Sequence, residues 1–190
     1  MKLQKSIAAF VFMLLFMWMA PPASAVEQGS MDNATANFNM GLQKVEQKDY
    51  KSAEKYLCAA IKANPQMDKA AYNLGIILFK NRPDEALMWF RKACDIRPEY
   101  PKYFYTLAFY TRQKGDIEEA VCLLKDLIVQ RPQYVDAYML LGDTYEKQGR
   151  VKEAEAIYRQ AIGEKKLPLP ARSFFENKLR ALPPVKKSEK

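Results

Sequence analysis

The sequence of 190 residues contains no histidine. The chain therefore has no Ser-His-Asp or Cys-His nucleophile pair, no His-ligated zinc and no side chain that ordinarily exchanges protons near neutral pH. It also lacks a glycine-rich phosphate-binding loop, because its few glycines fall at packing and turn positions. The acidic pairs Asp84-Glu85 and Glu118-Glu119 lie at predicted helix starts, where carboxylates complement the helix dipole. We therefore expect no enzymatic activity, no cofactor and no metal site.

Cysteine is also scarce, with three residues at spacings that do not resemble a metal site. A scaffold held together by disulfides would be shorter and richer in cysteine. We expect Cys58, Cys94 and Cys122 to be isolated thiols on helices. A bridge between Cys58 and Cys94 stays open as an alternative, since it requires Cα atoms within about 7 Å of each other.

Long apolar runs are absent except at the start of the chain. Lys2 and Lys5 precede an uncharged apolar run over residues 7–20. Two prolines and the small residues Ala23-Ser24-Ala25 follow it, which is the arrangement of a secretory signal peptide. The pattern predicts a signal peptide over 1–25, cleavage after Ala25 and a periplasmic or secreted protein. The run is short for a membrane span of about 20 residues, and an uncleaved anchor is the alternative.

The chain has no strong excess of one charge sign that is concentrated in one place. Its formal net charge is +8, and the lysines and arginines are scattered over several predicted helices and a short tail. Nucleic-acid binding usually shows a clustered basic face, so we expect no nucleic-acid partner. Residues 26–34 are polar and predict a spacer between the signal peptide and the folded part.

What the sequence does contain is a repeated pattern. A stretch beginning at Tyr72 is echoed by stretches beginning at Tyr103 and Tyr138, and an alanine-centred stretch follows each one. A period of about 34 residues indicates a helix-turn-helix hairpin stacked on copies of itself. Such arrays bury their core between neighbouring repeats and leave an open groove, which indicates binding rather than catalysis.

Small residues in the pattern predict how the two helices of a hairpin pack. Gly75 and Gly142 lack side chains, so a neighbouring helix can approach them closely. On each second helix a large residue lies between two mostly small residues that are spaced two turns apart. We expect this large side chain to fill the space between the two helices of the hairpin, as a knob fills a hole. These large residues are Phe90, Leu124 and Tyr158.

The pattern of Leu-Gly, a following Tyr, Ala-x3-Phe and a closing Pro resembles the tetratricopeptide repeat. Leu74-Gly75 and Leu141-Gly142 fit it, whereas Ala108 replaces the glycine in the third repeat. The resemblance implies an all-α, right-handed α-solenoid of about four repeats over 34–167 and a C-terminal capping helix over 168–182. The four predicted repeats are 34–67, 68–100, 101–134 and 135–167, and a disordered basic tail follows at 183–190.

By the same resemblance, one face of each first helix lines the concave side, where partners usually dock. The predicted partner-binding groove carries aromatic, apolar, basic and amide side chains: Phe38, Leu42, Lys69, Tyr72, Asn73, Ile76, Phe79, Lys102, Tyr105, Phe109 and Arg112. The equivalent face of the fourth repeat is acidic, with Asp136, Asp143 and Glu146. The competing interpretation is that part of this stripe is covered by the protein itself.

The sequence therefore predicts an exported, non-enzymatic scaffold that binds a peptide or helix of another protein, in the assembly of an envelope or secretion complex. One alternative is self-association, in which Phe174 and Phe175 of the capping helix bind a second copy. Another is a membrane-anchored assembly factor that keeps its signal sequence.

Overall fold

The computed structural model describes residues 23–184, and all regular secondary structure in this range is α-helical. The predicted signal peptide lies almost entirely outside this range, as do residues 185–190 of the predicted tail. The described helices are α1 (Ala23–Glu46), α2 (Tyr50–Ala63), α3 (Asp68–Leu78), α4 (Pro83–Ile96), α5 (Pro101–Lys114), α6 (Ile117–Gln130), α7 (Val135–Lys147), α8 (Val151–Gly163) and α9 (Leu169–Ala181).

The helices fall into two compact units, one ending at Met67 and the other beginning at Asp68. The first unit contains the hairpin of α1 and α2. Its turn places Lys48 at φ 59°, in the left-handed region, and Asp49 then caps α2 by accepting a 3.2 Å hydrogen bond from the Ser52 amide. Hydrogen bonding from Ser52, first from its side chain and then from its amide, holds the pKa of Asp49 below its ordinary value.

Residues 26–34, which we expected to form a spacer, belong to α1 instead. Ala34 is fully buried, and the Ser30 hydroxyl donates a 2.7 Å hydrogen bond to the carbonyl oxygen of Ala63. That bond occupies one of the last carbonyl groups of α2, which have no partner within their own helix. The polar composition of this segment therefore marks part of a helix, not a linker, and within residues 29–34 most of its side chains are exposed.

The second compact unit contains three further hairpins, α3–α4, α5–α6 and α7–α8, followed by α9. Each of these helices packs against the next one along the chain. Pro83 and Pro101 begin α4 and α5, where the missing amide proton costs nothing. Gly115 and Gly149 have φ angles of 107° and 70°, which glycine adopts readily, and they form the turns of the third and fourth repeats.

The predicted knob packing is confirmed in all three hairpins of this unit. Phe90, Leu124 and Tyr158 are at most 1% exposed. A Cβ atom added to Gly75 would lie 2.6 Å from the Phe90 ring, and one added to Gly142 would collide with the Tyr158 ring. In the third repeat the knob is the smaller Leu124, and the buried Ala108 takes the place of glycine.

Helix α9 covers the end of the last hairpin. Phe175 is fully buried, with its ring centroid 6.1 Å from that of Tyr138 and 5.8 Å from that of Tyr158. The predicted self-association through Phe175 is therefore wrong, because this side chain already belongs to the core. Phe174 is 37% exposed, and its neighbours on the outer side of α9 are the exposed polar residues Ser173 and Asn177.

The cysteines in the second compact unit are free thiols. Cys94 is buried on α4, and burial raises the pKa of its thiol to about 12, whereas Cys122 is exposed on α6. Because Cys94 is free, the bridge to Cys58 is not formed. Among the residues that the structure describes, no helix is both long and apolar enough to cross a bilayer.

Candidate partner-binding surface

The predicted groove residues of α3 are only half available to a partner. Tyr72, Ile76 and Phe79 are half-buried. The Tyr72 ring centroid lies 5.1 Å from that of Tyr103 and 6.0 Å from that of Phe90, and the Phe79 centroid lies 4.5 Å from that of Tyr110. These aromatic side chains therefore pack within the second compact unit and show only one edge to solvent.

The predicted polar groups beside this face differ in how they are engaged. Lys69 is exposed. The Asn73 amide donates a 2.7 Å hydrogen bond to the Lys69 carbonyl oxygen within the same helix, so its amide nitrogen is already engaged. The Lys102 ammonium lies 5.7 Å from the centroid of the Tyr72 ring, within range of a cation–π interaction.

On α5 the predicted residues join aromatic side chains that the sequence analysis did not select. Tyr105 and Phe109 stack with ring centroids 6.4 Å apart. Tyr134, which directly precedes α7, places its ring edge-on to Tyr105 at 6.0 Å. Tyr100, which directly precedes α5, is 41% exposed and packs on Tyr103 at 4.7 Å.

Tyr100 and Tyr134 occupy equivalent places in successive repeats, each as the last residue of an Arg-Pro-x-Tyr sequence that joins two hairpins. That recurrence is the signal that could have found them. We call Tyr72, Tyr100, Tyr105 and Tyr134 the tyrosine cluster.

The hydroxyl groups of Tyr105 and Tyr134 are kept protonated by their surroundings. Burial, reinforced by the Asp136 carboxylate, raises the pKa of Tyr105 above its ordinary value and that of Tyr134 to about 12. The Tyr105, Tyr100 and Tyr72 hydroxyls add smaller contributions at Tyr134, so these three groups lie within electrostatic range of Tyr134. Within residues 23–184, none of these hydroxyls takes part in an intramolecular hydrogen bond.

Arg112, the predicted arginine of the groove, is held by the protein itself. Its Nη1 atom lies 2.7 Å from Asp143 Oδ2 and 3.3 Å from Thr144 Oγ1, and its side chain is only 12% exposed. Its guanidinium carbon also lies 5.8 Å from the Phe109 ring centroid. The arginine therefore links α5 to α7 and has little free surface for a partner.

The acidic face of the fourth repeat is also used internally. Glu146 accepts hydrogen bonds from the buried Tyr158 hydroxyl and, at 2.9 Å, from Lys178 on α9. Burial opposes ionisation of Asp143, but its hydrogen bonds with Arg112 and Lys147 outweigh this and lower its pKa. Asp136 is the exception, since it is exposed and has no ion-pair partner among the described side chains.

The remaining predicted groove residues, Phe38 and Leu42, lie on α1 in the first compact unit. Both are half-buried, and Gly41 beside them meets Leu57, because an added Cβ would lie 2.9 Å from Leu57 Cδ2. Of the predicted groove, the structure brings Tyr72 and Tyr105 into one cluster with Asp136, and it engages Arg112 elsewhere.

Comparison with known proteins finds one family over most of the chain. A family model described as tetratricopeptide repeat matches residues 38–101 and 105–167. The TPR repeat-containing protein YpiA of Bacillus subtilis is 32% identical over 79 residues, which is 42% of this chain and 18% of that protein. Protein O-mannosyl-transferase Tmtc3 of Drosophila melanogaster is 28% identical over 108 residues, 56% of this chain and 12% of that protein. The chain thus spans less than a fifth of either relative.

Solved structures show the same fold at low sequence identity. A MamA protein superposes with a TM-score of 0.61 and 21% identity, covering 78% of this chain and 85% of that one. YrrB, whose description is a TPR protein with an unusual peptide-binding site, superposes with a TM-score of 0.59 and 22% identity over 76% and 74% of the two chains. PilF of Pseudomonas aeruginosa gives 0.58 and 16% over 80% and 71%.

Proposed function

The chain belongs to the tetratricopeptide repeat family, and from this we propose that it is an exported, non-enzymatic scaffold that binds a segment of another protein. Proteins of this family bind other proteins or peptides, and their fold is generally not that of an enzyme. The surface that we assign to the partner is the tyrosine cluster together with Phe109.

The observation that carries this proposal is the unengaged state of the tyrosine cluster. Its four hydroxyls make no hydrogen bond inside the described part of the chain, although their rings are fixed by neighbouring aromatic side chains. Rigid aromatic rings that keep a polar group accessible are typical of the residues that dominate protein interfaces. The charged groups of the neighbouring repeat are, by contrast, mostly paired with each other.

A matched set of variants tests this surface in the full chain. We expect Tyr105→Ala combined with Tyr134→Ala to lower the retention of partner proteins from an envelope extract at least about tenfold, as loss of interface hot spots does. The control combines Tyr50→Ala and Met88→Ala, which truncate two exposed side chains that are not members of the cluster. Circular dichroism and thermal unfolding establish that both variants fold. Undiminished capture by the folded cluster variant would refute the assignment of this surface.

Export and a role in assembling an envelope or secretion complex are part of the proposal. They depend on the amino-terminal pattern of Lys2, Lys5, an apolar run and a small-residue site before Val26. Mass spectrometry of the protein from its native cells is expected to find Val26 at the amino terminus. An intact Met1 in the membrane fraction would favour the anchored alternative.

A further inference from the structure

We propose that the partner segment is an extended, proline-rich stretch that carries a basic side chain, held by the tyrosine cluster with its basic side chain at Asp136. This inference rests on the proposed function and names the chemical class of the ligand. It follows from the ring spacing, the free hydroxyls and the charge at the two ends of the cluster.

The spacing of the rings suits an extended chain. Tyr134, Tyr105 and Phe109 follow one another at centroid distances of 6.0 and 6.4 Å. A polyproline II chain has three residues per turn and rises about 3.1 Å per residue, so the residues on one of its faces recur about every 9 Å. The row of three rings is therefore long enough to contact two prolyl residues on the same face, and aromatic-lined grooves bind prolines in this way in other proteins.

The hydroxyl groups select the same kind of ligand. A polyproline II chain makes no internal hydrogen bonds, so its carbonyl oxygens can accept from a partner. Tyr100, Tyr105 and Tyr134 offer hydroxyl donors, because nothing within the described part of the chain engages them. A bound helix would leave them without acceptors, since its backbone carbonyls are occupied within the helix. A bound strand finds no sheet edge here, because residues 23–184 contain only helices.

The charged groups beside the cluster predict which charge the ligand carries and which way the ligand lies. Asp136 is exposed, acts on both Tyr105 and Tyr134, and has no ion-pair partner among the described side chains. The competing cation on α5, Arg112, is already paired with Asp143. At the other end Lys102 lies over the Tyr72 ring and would repel a basic residue. The basic side chain of the ligand therefore belongs at the Tyr134 end.

The test uses the full chain and fluorescent decapeptides in a binding titration. The reference peptide is proline-rich with one arginine, and its matched partners replace the prolines by alanine or the arginine by glutamate. We expect each replacement to weaken binding about tenfold or more, and Tyr105→Phe plus Tyr134→Phe to weaken the reference peptide about tenfold through lost hydrogen bonds. The control variant Tyr50→Phe removes an exposed hydroxyl outside the cluster and should change nothing.

The role of Asp136 has its own readout. Asp136→Asn should abolish the preference for arginine over glutamate while the preference for proline over alanine persists. The inference is overturned if no peptide binds, if the alanine peptide binds as well as the proline peptide, or if an amphipathic helical peptide binds more tightly. In each of these cases capture from the envelope extract by the cluster would still support the proposed function, so the two claims fail separately.

Discussion

Helices α5 and α7 begin successive repeats, and their equivalent positions carry different chemistry. On α5 these positions hold Tyr105, Phe109 and Arg112, and on α7 they hold Met139, Asp143 and Glu146. Asp143 and Glu146 are satisfied by the chain itself, through Arg112 on one side and α9 on the other. The hydroxyls of the tyrosine cluster have no such partner within residues 23–184. Equivalent positions thus close the protein in one repeat, and in our proposal they include the partner-binding residues Tyr105 and Phe109 in the preceding one.

The largest expected effect on stability comes from removing the side chain by which α9 covers the last hairpin. Phe175→Ala deletes a fully buried ring packed on Tyr138 and Tyr158. We expect it to lower the free energy of unfolding by about 3–5 kcal/mol, the usual cost of truncating a buried Phe. The adjacent Phe174→Ala, at a 37% exposed site, should cost less than about 1 kcal/mol.

Urea unfolding followed by circular dichroism measures both variants, and amide hydrogen exchange reports which helices open first. We expect the amides of α8 and α9 to lose their protection from exchange before those of α5 do. Equal destabilisation by the two substitutions would contradict the assignment of Phe175 as the residue that closes the fourth repeat.

A smaller effect on stability should distinguish the fourth repeat from the third, because their second helices carry knobs of different size. Gly142→Ala places a methyl group against the Tyr158 ring and should cost about 1–3 kcal/mol through overpacking. In a Tyr158→Leu background, which copies the Ala108 and Leu124 pair of the third repeat, the same substitution should cost at least about 1 kcal/mol less. A double-mutant cycle from urea unfolding measures this coupling.

Ala108→Gly in the third repeat is the reciprocal control for that cycle. Because Leu124 already leaves room for a methyl group there, we expect only the cost of glycine in a helix, about 0.5–1 kcal/mol. No coupling between Gly142 and Tyr158 would mean that the size of the knob does not decide between glycine and alanine.

The fold could be predicted from the sequence because the residues that determine each hairpin lie close together in the chain. Each hairpin repeats the same spacing of small and large residues, so Gly75 against Phe90 could be anticipated without coordinates. The start of α1 could not, since its polar residues gave no apolar period and the bond from Ser30 to Ala63 joins positions 33 residues apart. The all-α repeat fold is confirmed, whereas the linker interpretation of 26–34 is wrong.

The candidate surface was predictable only in part, for two physical reasons. Tyr100 and Tyr134 precede their helices, so a search along helical faces passes over them. Whether Arg112 is free depends on a carboxylate 31 residues away, and periodicity does not report such pairings. Helical spacing identifies which side chains share a face, but not which of them the protein already uses.

The smallest effect concerns the ion pair that joins the two helices. The pKa of Asp143 is lowered from its ordinary value of 3.8, because its hydrogen bonds with Arg112 and Lys147 outweigh burial. A carboxyl group with a lowered folded-state pKa stabilises the protein above its unfolded pKa, and this contribution is lost as the pH falls through the folded value. Asp143→Asn should therefore lower stability at pH 7 by no more than about 1 kcal/mol, since the pair is partly exposed and screened.

The difference between wild type and Asp143→Asn should begin to shrink as the pH falls below about 4, where the carboxyl group of the unfolded chain gains its proton. It should disappear once the pH has fallen through the lower pKa of the folded protein. Raising the salt concentration at pH 7 should also reduce it. Asp136→Asn on the same helix is the matched control. Asp136 has no ion-pair partner among the described side chains but lies in the first turn of α7, so its replacement should cost only about 0.3 kcal/mol. Thermal unfolding across pH measures all three proteins. If Asp136→Asn destabilised the chain as much as Asp143→Asn, the two acidic groups would both serve closure, and the contrast between α5 and α7 would lose its basis.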